Sequence, residues 1–323
     1  MRRSVALVFA LLASFIACFA WGQDYPTRPI RMIVPQPAGG TMDTNARALS
    51  EFLERALGQN IVIDNRAGAN GIIAGETVAK SAPDGHTLLY TSNSFINNQI
   101  MYKKLPFDVM RDFAPITNVG NLPGYLVLVN AQLPAQSMKE LIELSKSVRD
   151  PVRFGSGGIG NSQHLLGELI NARSGARLMH VPYKGFAPMI TALLGNEVQV
   201  AFGAPTTVIQ HIKSGRVRVL AITSVKRWSG MPEVPTVAEA GIPGFAFEAA
   251  WHGMFAPAAT PKAIVARLQQ EVAKAIAIPK MRQLLEAGGY VPVGDTPAEF
   301  RKFLEADLKK IAEIARIANV QPE

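Results

Sequence analysis

Three glycines at fixed spacing lie in the middle of the chain, in the segment VRFGSGGIGNSQHL at residues 152–165. Gly155, Gly157 and Gly160 form the pattern G-x-G-x-x-G between an apolar run and a segment with helical character. Glycines at such a junction let successive backbone N–H groups point into one concavity at the positive end of the helix dipole. The chemistry that this arrangement favours is the binding of an anion.

The neighbours of these glycines argue against a nucleotide. A dinucleotide site needs an acidic residue about 20 residues further on, at the end of the next strand, to hold the ribose. The next apolar run, LMHV at residues 178–181, has none, and no glycine segment continues into the Gly-Lys-Ser/Thr of a phosphate loop. Ser156 does not fit a serine elbow either, because Phe154 stands where that turn needs glycine. A carboxylate is the smallest anion that fits, and a tight turn without a ligand is the alternative.

A second segment of the same kind lies earlier in the chain, in IRMIVPQPAGGTMDTNARALSEFLERAL at residues 30–57. It again joins a strand-like run to a helix-like run through glycines. In open parallel sheets, ligands bind beyond the carboxyl ends of the strands, where such loops lie. Two loops so far apart in the chain can belong to two lobes. We therefore predict a cleft in which a ligand is held between one loop of each lobe.

Polar residues at other strand ends could supply further ligand contacts. Ser92 and Ser94 follow the apolar run at residues 88–91, and Thr206 and Thr207 follow the run at residues 198–202. Ordinary capping of the helices that come next is the alternative role of these hydroxyls.

Asp43 and Asn161 stand where helices are predicted to begin, so capping is their expected role and direct ligand contact is the alternative. His252 lies in the apolar segment Trp251-His252-Gly253, which either belongs to the core or walls a pocket. The five histidines are scattered without metal-ligand spacing, and no paired carboxylates or nucleophile–base pair emerge. We therefore expect no metal, no cofactor and no enzymatic turnover.

Strand and helix signals alternate along the whole chain. Apolar runs predict strands at residues 30–34, 61–64, 88–91, 126–129, 152–154, 178–181, 198–202 and 217–223. Residues 44–57 have apolar positions at helical spacing, and Ser137-x-x-Glu140 and Thr296-x-x-Glu299 are helix-start patterns. Such alternation predicts an α/β fold with mostly parallel sheets flanked by helices.

The first 22 residues are a predicted secretory signal peptide. A short basic start, an apolar run over residues 5–19 and small residues before Gln23 fit this pattern. Lipid attachment after cleavage before Cys18 is the less favoured alternative, because Phe15 stands in place of the usual leucine. Cys18 is the only cysteine of the chain, so the secreted part has no disulfide.

Composition narrows the class of partner. The chain has 323 residues, of which 48% are hydrophobic, enough to build one large or two medium domains. Its formal charge of +8 falls to +6 when Arg2 and Arg3 leave with the signal peptide. The remaining basic residues are scattered and not interleaved with aromatic residues, so nucleic acid is not an expected partner. The mild positive field favours an anionic ligand weakly.

Stretches along the secreted chain match one known family. In chain order they are YPTRPIRMIVPQPAGGTMD, VIDNRAGANGIIAGETVAKSAPDGHTLL, YKKLPFDVMRDFAPIT, QHLLGEL, HVPYKG, HIKSGRVRVLAITS, VPTVAEAGIPGF and GMFAPAATPKAIVARL. In number, order and spacing they resemble the substrate-binding proteins of tripartite tricarboxylate transporters, often called Bug-type receptors. The resemblance covers essentially the whole secreted length.

The resemblance implies a two-lobed periplasmic binding protein fold of type II, whose lobes close on a small carboxylate. We expect one lobe to contain residues 24–121 and 233–323, and the other to contain residues 122–232. In this family, backbone amides of the two glycine loops grip one ligand carboxylate, frequently with ordered waters. The positions that carry over are Pro37, Ala38, Gly39, Gly40, Thr41 and Asp43 in the first loop, and Ser156, Gly157, Gly158, Ile159, Gly160 and Ser162 in the second.

The sequence departs from the usual family pattern at positions that bear on ligand choice. Gln36 and Ala38 replace a phenylalanine and a proline, Gly203 stands where an aspartate is usual, and His252 where an uncharged aromatic is common. Losing an acid and gaining a histidine favour a second negative group on the ligand. Less side-chain volume at positions 36 and 203 could admit a ring. We therefore expect a dicarboxylate, with an aromatic diacid of the phthalate type as one form, whose far end lies near His252 and the strand-end hydroxyls.

The expected function is that of a periplasmic receptor that captures this carboxylate unchanged through lobe closure. It would deliver the ligand to membrane transporter subunits or to a sensor ectodomain, and we expect it to act as a monomer. The alternative from another class is a secreted hydrolase or transferase with a glycine-loop oxyanion site. The effector-binding part of a transcription regulator is disfavoured by the signal peptide and by the lack of a DNA-binding helix pair.

Overall fold

The computed structural model describes residues 25–248 and 250–322, which contain two β-sheets accompanied by helices. The predicted signal peptide and Cys18 lie outside the described residues. In the described part of the chain, no helix is both long enough and apolar enough to span a membrane.

Among the described residues, six strands and seven α-helices belong to the first sheet and its surroundings. The strands are β1 (Ile30–Val34), β2 (Ile61–Asn65), β3 (Thr87–Ser92), β4 (Phe113–Leu122), β10 (Ala250–Pro257) and β11 (Val291–Pro292). The helices are α1 (Thr41–Leu57), α2 (Ile72–Ala79), α3 (Ser94–Met101), α4 (Val109–Asp112), α9 (Lys262–Ala277), α10 (Pro279–Ala287) and α11 (Pro297–Ile317), with a 3-10 turn at Ala69–Gly71. The strand order is β11-β4-β10-β3-β1-β2.

Five strands and four helices of the described chain form the second sheet and its cover. The strands are β5 (Leu126–Asn130), β6 (Arg153–Ser156), β7 (Met179–Pro182), β8 (Val200–Gly203) and β9 (Val217–Ile222). The helices are α5 (Met138–Ser147), α6 (Ser162–Ser174), α7 (Phe186–Leu194) and α8 (Pro205–Lys213). The strand order is β7-β6-β8-β5-β9.

Most strands of each sheet share one direction. β1 pairs in parallel with β2 and β3, and β6 pairs in parallel with β7 and β8. In contrast, β10 is antiparallel to β3 and β4, and β5 is antiparallel to β8 and β9. β5 and β10 are the first strands formed after the chain passes from one sheet to the other, so they start at the edge where the other strands end. β11 is antiparallel to β4 as well, so it runs in the same direction as β10. The predicted α/β class is confirmed, with two reversed strands, β10 and β11, in the first sheet and one, β5, in the second.

Local sequence signals fix several helix ends. α11 starts at a capping box, in which Thr296 Oγ1 accepts from the Glu299 N–H and the Glu299 carboxylate accepts from the Thr296 N–H. Ser137 caps α5 by accepting from the N–H of Glu140 at 3.2 Å. α1 ends at Gly58, whose φ of 69° is left-handed and therefore suits glycine. These ends agree with the sequence patterns.

The core of the second sheet extends beyond its own strands. Phe154 on β6 and Phe202 on β8 share one apolar cluster with Val237, Ile242 and Phe247, which follow β9 in the chain. Residues 237–247 therefore pack with the second sheet, although they lie after its last strand.

Helix α11 packs against the cores of both sheets. Phe300 and Leu304 in its first half are buried with residues of the first sheet. Ile311 and Ile314 in its second half are buried with residues of the second sheet. The C-terminal helix is thus a further connection between the two halves of the molecule, besides the β4–β5 and β9–β10 crossings.

Candidate functional site

The first glycine loop, which we call loop 1 (residues 35–40), joins the end of β1 to the start of α1. Asp43, in the first turn of α1, is buried and holds this loop. Its carboxylate accepts from the N–H of Gly39, from Arg47 Nε and from Asn65 Nδ2, each at 2.9 Å. Burial alone would raise the pKa of Asp43, but these hydrogen bonds outweigh it and hold the pKa below its ordinary value. Asp43 therefore organises the loop as an ionised, fully paired group.

Only part of loop 1 remains available to an anion. Pro37, Ala38 and Gly39 are exposed at the tip, where Pro37 has no N–H and the Gly39 N–H is bound to Asp43. Gly40 and Thr41 lie at the start of α1, and the described hydrogen bonds include none from their N–H groups. The first N–H groups of a helix have no partner within it. The described hydrogen bonds include none from the N–H of Ala38 either. An anion at loop 1 would therefore use the helix-start amides of Gly40 and Thr41, with the Ala38 N–H as a further donor at the loop tip.

The second glycine loop, loop 2 (residues 157–161), joins β6 to α6 and is held by its own neighbours. The N–H of Gly157 donates to Gln163 Oε1 at 2.8 Å, and the N–H of Gly160 donates to His164 Nδ1 at 3.1 Å. The N–H of Gly158 donates to Ser156 Oγ at 3.2 Å.

These bonds change the expected role of the loop 2 amides. We expected Gly157, Gly158 and Gly160 to donate to a ligand, but in this structure the protein occupies all three. The described hydrogen bonds include none from the N–H groups of Ile159 and Ser162. An anion at loop 2 would therefore use the amides of these two residues.

Asn161 caps α6, because its Oδ1 accepts from the N–H of His164 at 3.0 Å. This agrees with the capping role expected from its position. Gln163, in the first turn of α6, has a second task that the sequence did not reveal: its Nε2 donates to the carbonyl of Phe202 at 2.6 Å. It thereby ties loop 2 to the end of β8.

Behind loop 2 lies a pair of stacked imidazoles. His180 Nε2 lies 2.6 Å from Ser156 Oγ, and the rings of His164 and His180 stack with centroids 3.9 Å apart. Burial lowers the pKa of His164 to about 4, and burial together with the charge of His164 lowers that of His180 to about 3. Both rings are therefore neutral near pH 7. They line a cavity of about 310 Å³ with Ile159, Glu168 and residues 318–321.

The Ser156–His180 contact is a serine–histidine pair that sequence reasoning missed, since the residues lie on neighbouring strands β6 and β7. Ser156 is completely buried, and its Oγ is also within hydrogen-bond distance of the N–H and carbonyl of Gly158. A nucleophile must reach its substrate. Ser156 is enclosed by its own loop, so this pair supports the backbone.

Loop 2 contacts helix α3, which belongs to the surroundings of the first sheet. Asn97 Nδ2 on α3 donates to the carbonyl of Gly160 at 3.4 Å. A Cβ built on Gly160 would lie only 2.8 Å from Met101 Cγ, also on α3. Gly160 has a φ of 76° as well, so both its conformation and its close contact suit glycine.

The strand-end serine and threonine residues lie at the starts of two more helices. Ser92 is the buried last residue of β3, and Ser94 is the first residue of α3. Thr206 and Thr207 lie in the first turn of α8, where Thr207 Oγ1 donates to the carbonyl of Ala204 at 2.8 Å. Four helices, α1, α3, α6 and α8, thus begin where parallel strands end.

His252 differs from the expectation of a charged ligand group. It is 3% exposed on β10, and its two ring nitrogens lie 3.0–3.4 Å from the hydroxyls of Tyr90 and Tyr290 and the amide nitrogen of Asn45. Burial lowers the pKa of His252 to about 3, so the ring is neutral. It offers no positive charge to a second carboxylate.

Gly203 also departs from the expectation, because side chains of the protein core fill the space that its missing side chain would leave. A Cβ at this position would lie 2.7 Å from Val208 Cγ1 and 3.2 Å from Leu128 Cδ1. The space that we expected to admit a ring is occupied by the core of the second sheet. Among the described residues, no group of three His, Cys, Asp or Glu side chains is arranged to hold a metal ion.

Comparison with known proteins identifies the family of this chain. Residues 45–320 match the family model described as the tripartite tricarboxylate transporter family receptor. The chain belongs to this receptor family. The resemblance seen in the sequence motifs is therefore confirmed over most of the chain.

Solved structures agree with this family membership. The structure of the periplasmic binding protein BugD has 33% identity and a TM-score of 0.85, covering 93% of this chain and 100% of that one. R. palustris Rpa4515 with adipate has 32% identity and a TM-score of 0.87, covering 93% and 100%. MatC (Rpa3494) from Rhodopseudomonas palustris with bound malate has 29% identity and a TM-score of 0.82, covering 90% and 99%. The chain is a solute-binding receptor with the two-lobed fold of periplasmic binding proteins.

Proposed function

We propose that this family receptor captures a small dicarboxylate in the periplasm, between loop 1 and loop 2, and delivers it to a tripartite tricarboxylate-type transporter or to a sensor. The observation that carries the proposal is the pair of glycine loops at the starts of α1 and α6. The amides that we assign to the carboxylate have no protein acceptor among the described hydrogen bonds: those of Gly40 and Thr41 at the start of α1, that of Ile159 in loop 2 and that of Ser162 at the start of α6. Such amides, at the positive ends of helix dipoles, bind carboxylates.

The charge pattern supports an anion held by dipoles. Arg47 is paired with Asp43, and Arg66 is paired with Asp64, so the arginines beside loop 1 already have partners. The start of α3, at Ser94, offers the same kind of donor to a second carboxylate. At the start of α8, both the N–H and the hydroxyl of Thr207 already donate to the carbonyl of Ala204. Relatives bound to adipate and to malate, both diacids, support this ligand class. An aromatic diacid keeps less support, because the space at Gly203 is filled.

The lobe boundaries are part of the proposal. We place the first crossing between β4 and β5, next to the expected boundary at residues 121 and 122. The packing of Val237, Ile242 and Phe247 with the second sheet favours a second crossing after residue 247, later than the expected one at residue 232. Secretion through the predicted signal peptide and action as a monomer complete the proposal.

A binding screen tests the function directly. The protein without residues 1–22 is heated with aliphatic and aromatic mono-, di- and tricarboxylates at constant ionic strength, with the matching diamides as uncharged controls. A ligand at a hundred times its Kd stabilises the folded protein by about 2.7 kcal/mol, so a dicarboxylate should raise Tm by several degrees. Mass spectrometry should recover the ligand unchanged. A screen without any carboxylate-dependent shift, or the appearance of a product, would overturn the proposal.

A further inference from the structure

A buried hydrogen-bonding network lies in the first sheet, outside the two loops. Its centre is His252, whose Nε2 lies 3.0 Å from the hydroxyl of Tyr290. Its Nδ1 lies 3.4 Å from the amide nitrogen of Asn45 and 3.3 Å from the hydroxyl of Tyr90. All four side chains are buried. Buried polar groups require hydrogen-bond partners, so the direction of each bond matters.

The chemistry of Asn45 fixes that direction. An amide nitrogen only donates, so Nδ1 of His252 is the acceptor and the single proton of the neutral ring lies on Nε2. Nε2–H then donates to the phenol oxygen of Tyr290. Because this oxygen accepts from the ring, the hydroxyl hydrogen of Tyr290 is directed elsewhere. The hydrogen bonds of the described chain contain no acceptor for it.

Tyr290 stands where the two halves of the molecule meet. The residue before it, Gly289, packs against Pro205, the first residue of α8: a Cβ on Gly289 would lie 3.4 Å from Pro205 Cδ. Burial raises the pKa of the Tyr290 hydroxyl, and the nearby phenols of Tyr125 and Tyr90 raise it further. The pKa of Tyr125 is raised by burial and held back by the nearby hydroxyl of Ser162, at the start of α6. The free donor of Tyr290 is therefore near the starts of two helices that border the cleft.

We propose that the Tyr290 hydroxyl donates a hydrogen bond to the far oxygen of the bound ligand, opposite the carboxylate held by the loops. His252 and Asn45 are positioning residues that direct this hydroxyl towards the cleft. The ligand class that it selects carries an oxygen acceptor at the far end, as a diacid does and a simple fatty monoacid does not. This inference rests on the proposed capture of a carboxylate.

Matched ligand pairs and a single hydroxyl deletion test the inference. Calorimetry compares the wild type with Tyr290→Phe, using adipate with hexanoate, succinate with butanoate, and phthalate with benzoate. Losing a hydrogen bond to a charged oxygen should weaken the diacid about tenfold or more. The monoacid, which lacks the far oxygen, should change by less than about twofold. Tyr25→Phe removes a distant hydroxyl that donates to the Gly85 carbonyl at 2.7 Å, and it should leave both affinities unchanged.

The possible results distinguish the proposed function from the proposed role of Tyr290. A wild type that binds no member of any pair overturns the proposed function, and this inference with it. A wild type that binds, together with equal losses for diacid and monoacid in Tyr290→Phe, overturns only the role of Tyr290. Circular dichroism of each variant at the temperature of the titration shows that the folded protein is being measured.

The positioning role of His252 has its own readout. His252→Phe removes the Nε2–H donor, whereas His252→Gln retains an amide N–H close to its place. His252→Phe should weaken the diacid selectively, and His252→Gln should recover most of the affinity. Adding Tyr290→Phe to His252→Phe should cost little more, because both changes remove one contact. Additive losses, or equal losses for diacid and monoacid, would show that His252 acts only on the fold.

Discussion

Acidification should weaken the folded protein through the two histidines that support loop 2. His164 accepts from the N–H of Gly160 through Nδ1, which requires a ring without a proton at that atom. His180 stacks on His164 and contacts Ser156, which in turn holds Gly158. A second positive ring at a centroid distance of 3.9 Å would be repelled by the first. Protonation therefore works against this whole support.

The sign and the size of the change in the free energy of unfolding follow from the two pKa values. In the unfolded chain both rings have the ordinary pKa of about 6.5, whereas burial keeps the folded values at about 4 for His164 and about 3 for His180. As the pH falls below 6.5, the unfolded chain binds protons first, so the free energy of unfolding decreases until the folded rings also titrate. From pH 7.5 to pH 5.0 the loss is about 2 kcal/mol for each ring, and about 4 kcal/mol for the pair.

A variant that keeps the hydrogen bonds but cannot titrate isolates this loss. In the double variant His164→Asn and His180→Gln, the amide groups replace Nδ1 and Nε2 respectively. Urea unfolding at pH 7.5 and 5.0, followed by the fluorescence of Trp228 and Trp251, gives the two free energies. His252, which is also buried and neutral, titrates in both proteins and cancels in the comparison.

Glu168, the acidic group that lines the cavity beside the two rings, cancels in the same way. Burial raises its pKa, so its protonation favours the folded state as the pH falls, in the wild type and in the variant alike. The wild type should therefore lose about 4 kcal/mol more than the double variant between the two pH values. An equal loss in both proteins would refute the claim that loop 2 depends on neutral imidazoles.

Three substitutions test other parts of the site and fold. Gly160→Ala adds left-handed strain and a contact with Met101 Cγ at 2.8 Å, whereas Gly175→Ala adds similar strain with no atom nearer than 3.8 Å. In urea unfolding, Gly160→Ala should lower the free energy of unfolding by about 1 kcal/mol or more beyond Gly175→Ala. Equal losses would contradict the close contact at Met101. Asp43→Ala should weaken carboxylate binding in calorimetry about tenfold, with Asp43→Asn weakening it less because one acceptor remains; an unchanged Kd would show that loop 1 needs no such support. Thr296→Ala should lower the free energy of unfolding by about 1 kcal/mol through loss of the α11 cap, and no change would contradict the capping box.

The sequence predicted those strands whose apolar residues form continuous runs, and it missed the two longest strands of the first sheet. β1 was predicted with its observed bounds, and the strands of the second sheet were all found within a few residues. β4 has the sequence FAPITNVGNL and β10 has AWHGMFAP, both with glycine and proline, which are poor in strands. Each is nevertheless largely buried and hydrogen-bonded to neighbours on both sides. Tertiary pairing decides their conformation, and no local pattern could indicate it.

Local sequence patterns were also sufficient to predict the two loops but not the other parts of the candidate site. Glycine spacing and cap positions located both loops and the capping role of Asn161, because these depend on residues within a few positions. The capping role expected of Asp43 was wrong: Gly40 is the N-cap of α1, and Asp43, in the first turn, accepts from the N–H of Gly39 instead. Which amides remain free could not be read from the glycines, since the answer depends on where Gln163 and His164 point. Tyr290 gave no signal at all, because its partner His252 lies 38 positions away in the chain.

The acceptors of the loop 2 amides are consistent with the proposed anion site. A glycine-rich loop is costly to order, so satisfying three of its amides internally prepares the loop before any ligand arrives. The acceptors are the side chains of Gln163, Ser156 and His164, all neutral near pH 7. A carboxylate in their place would repel the ligand, and loop 1 tolerates Asp43 only because Arg47 pairs with it. In the proposed site, His164 must therefore stay neutral: a protonated ring would attract the anion but would lose the Nδ1 lone pair that accepts from the N–H of Gly160.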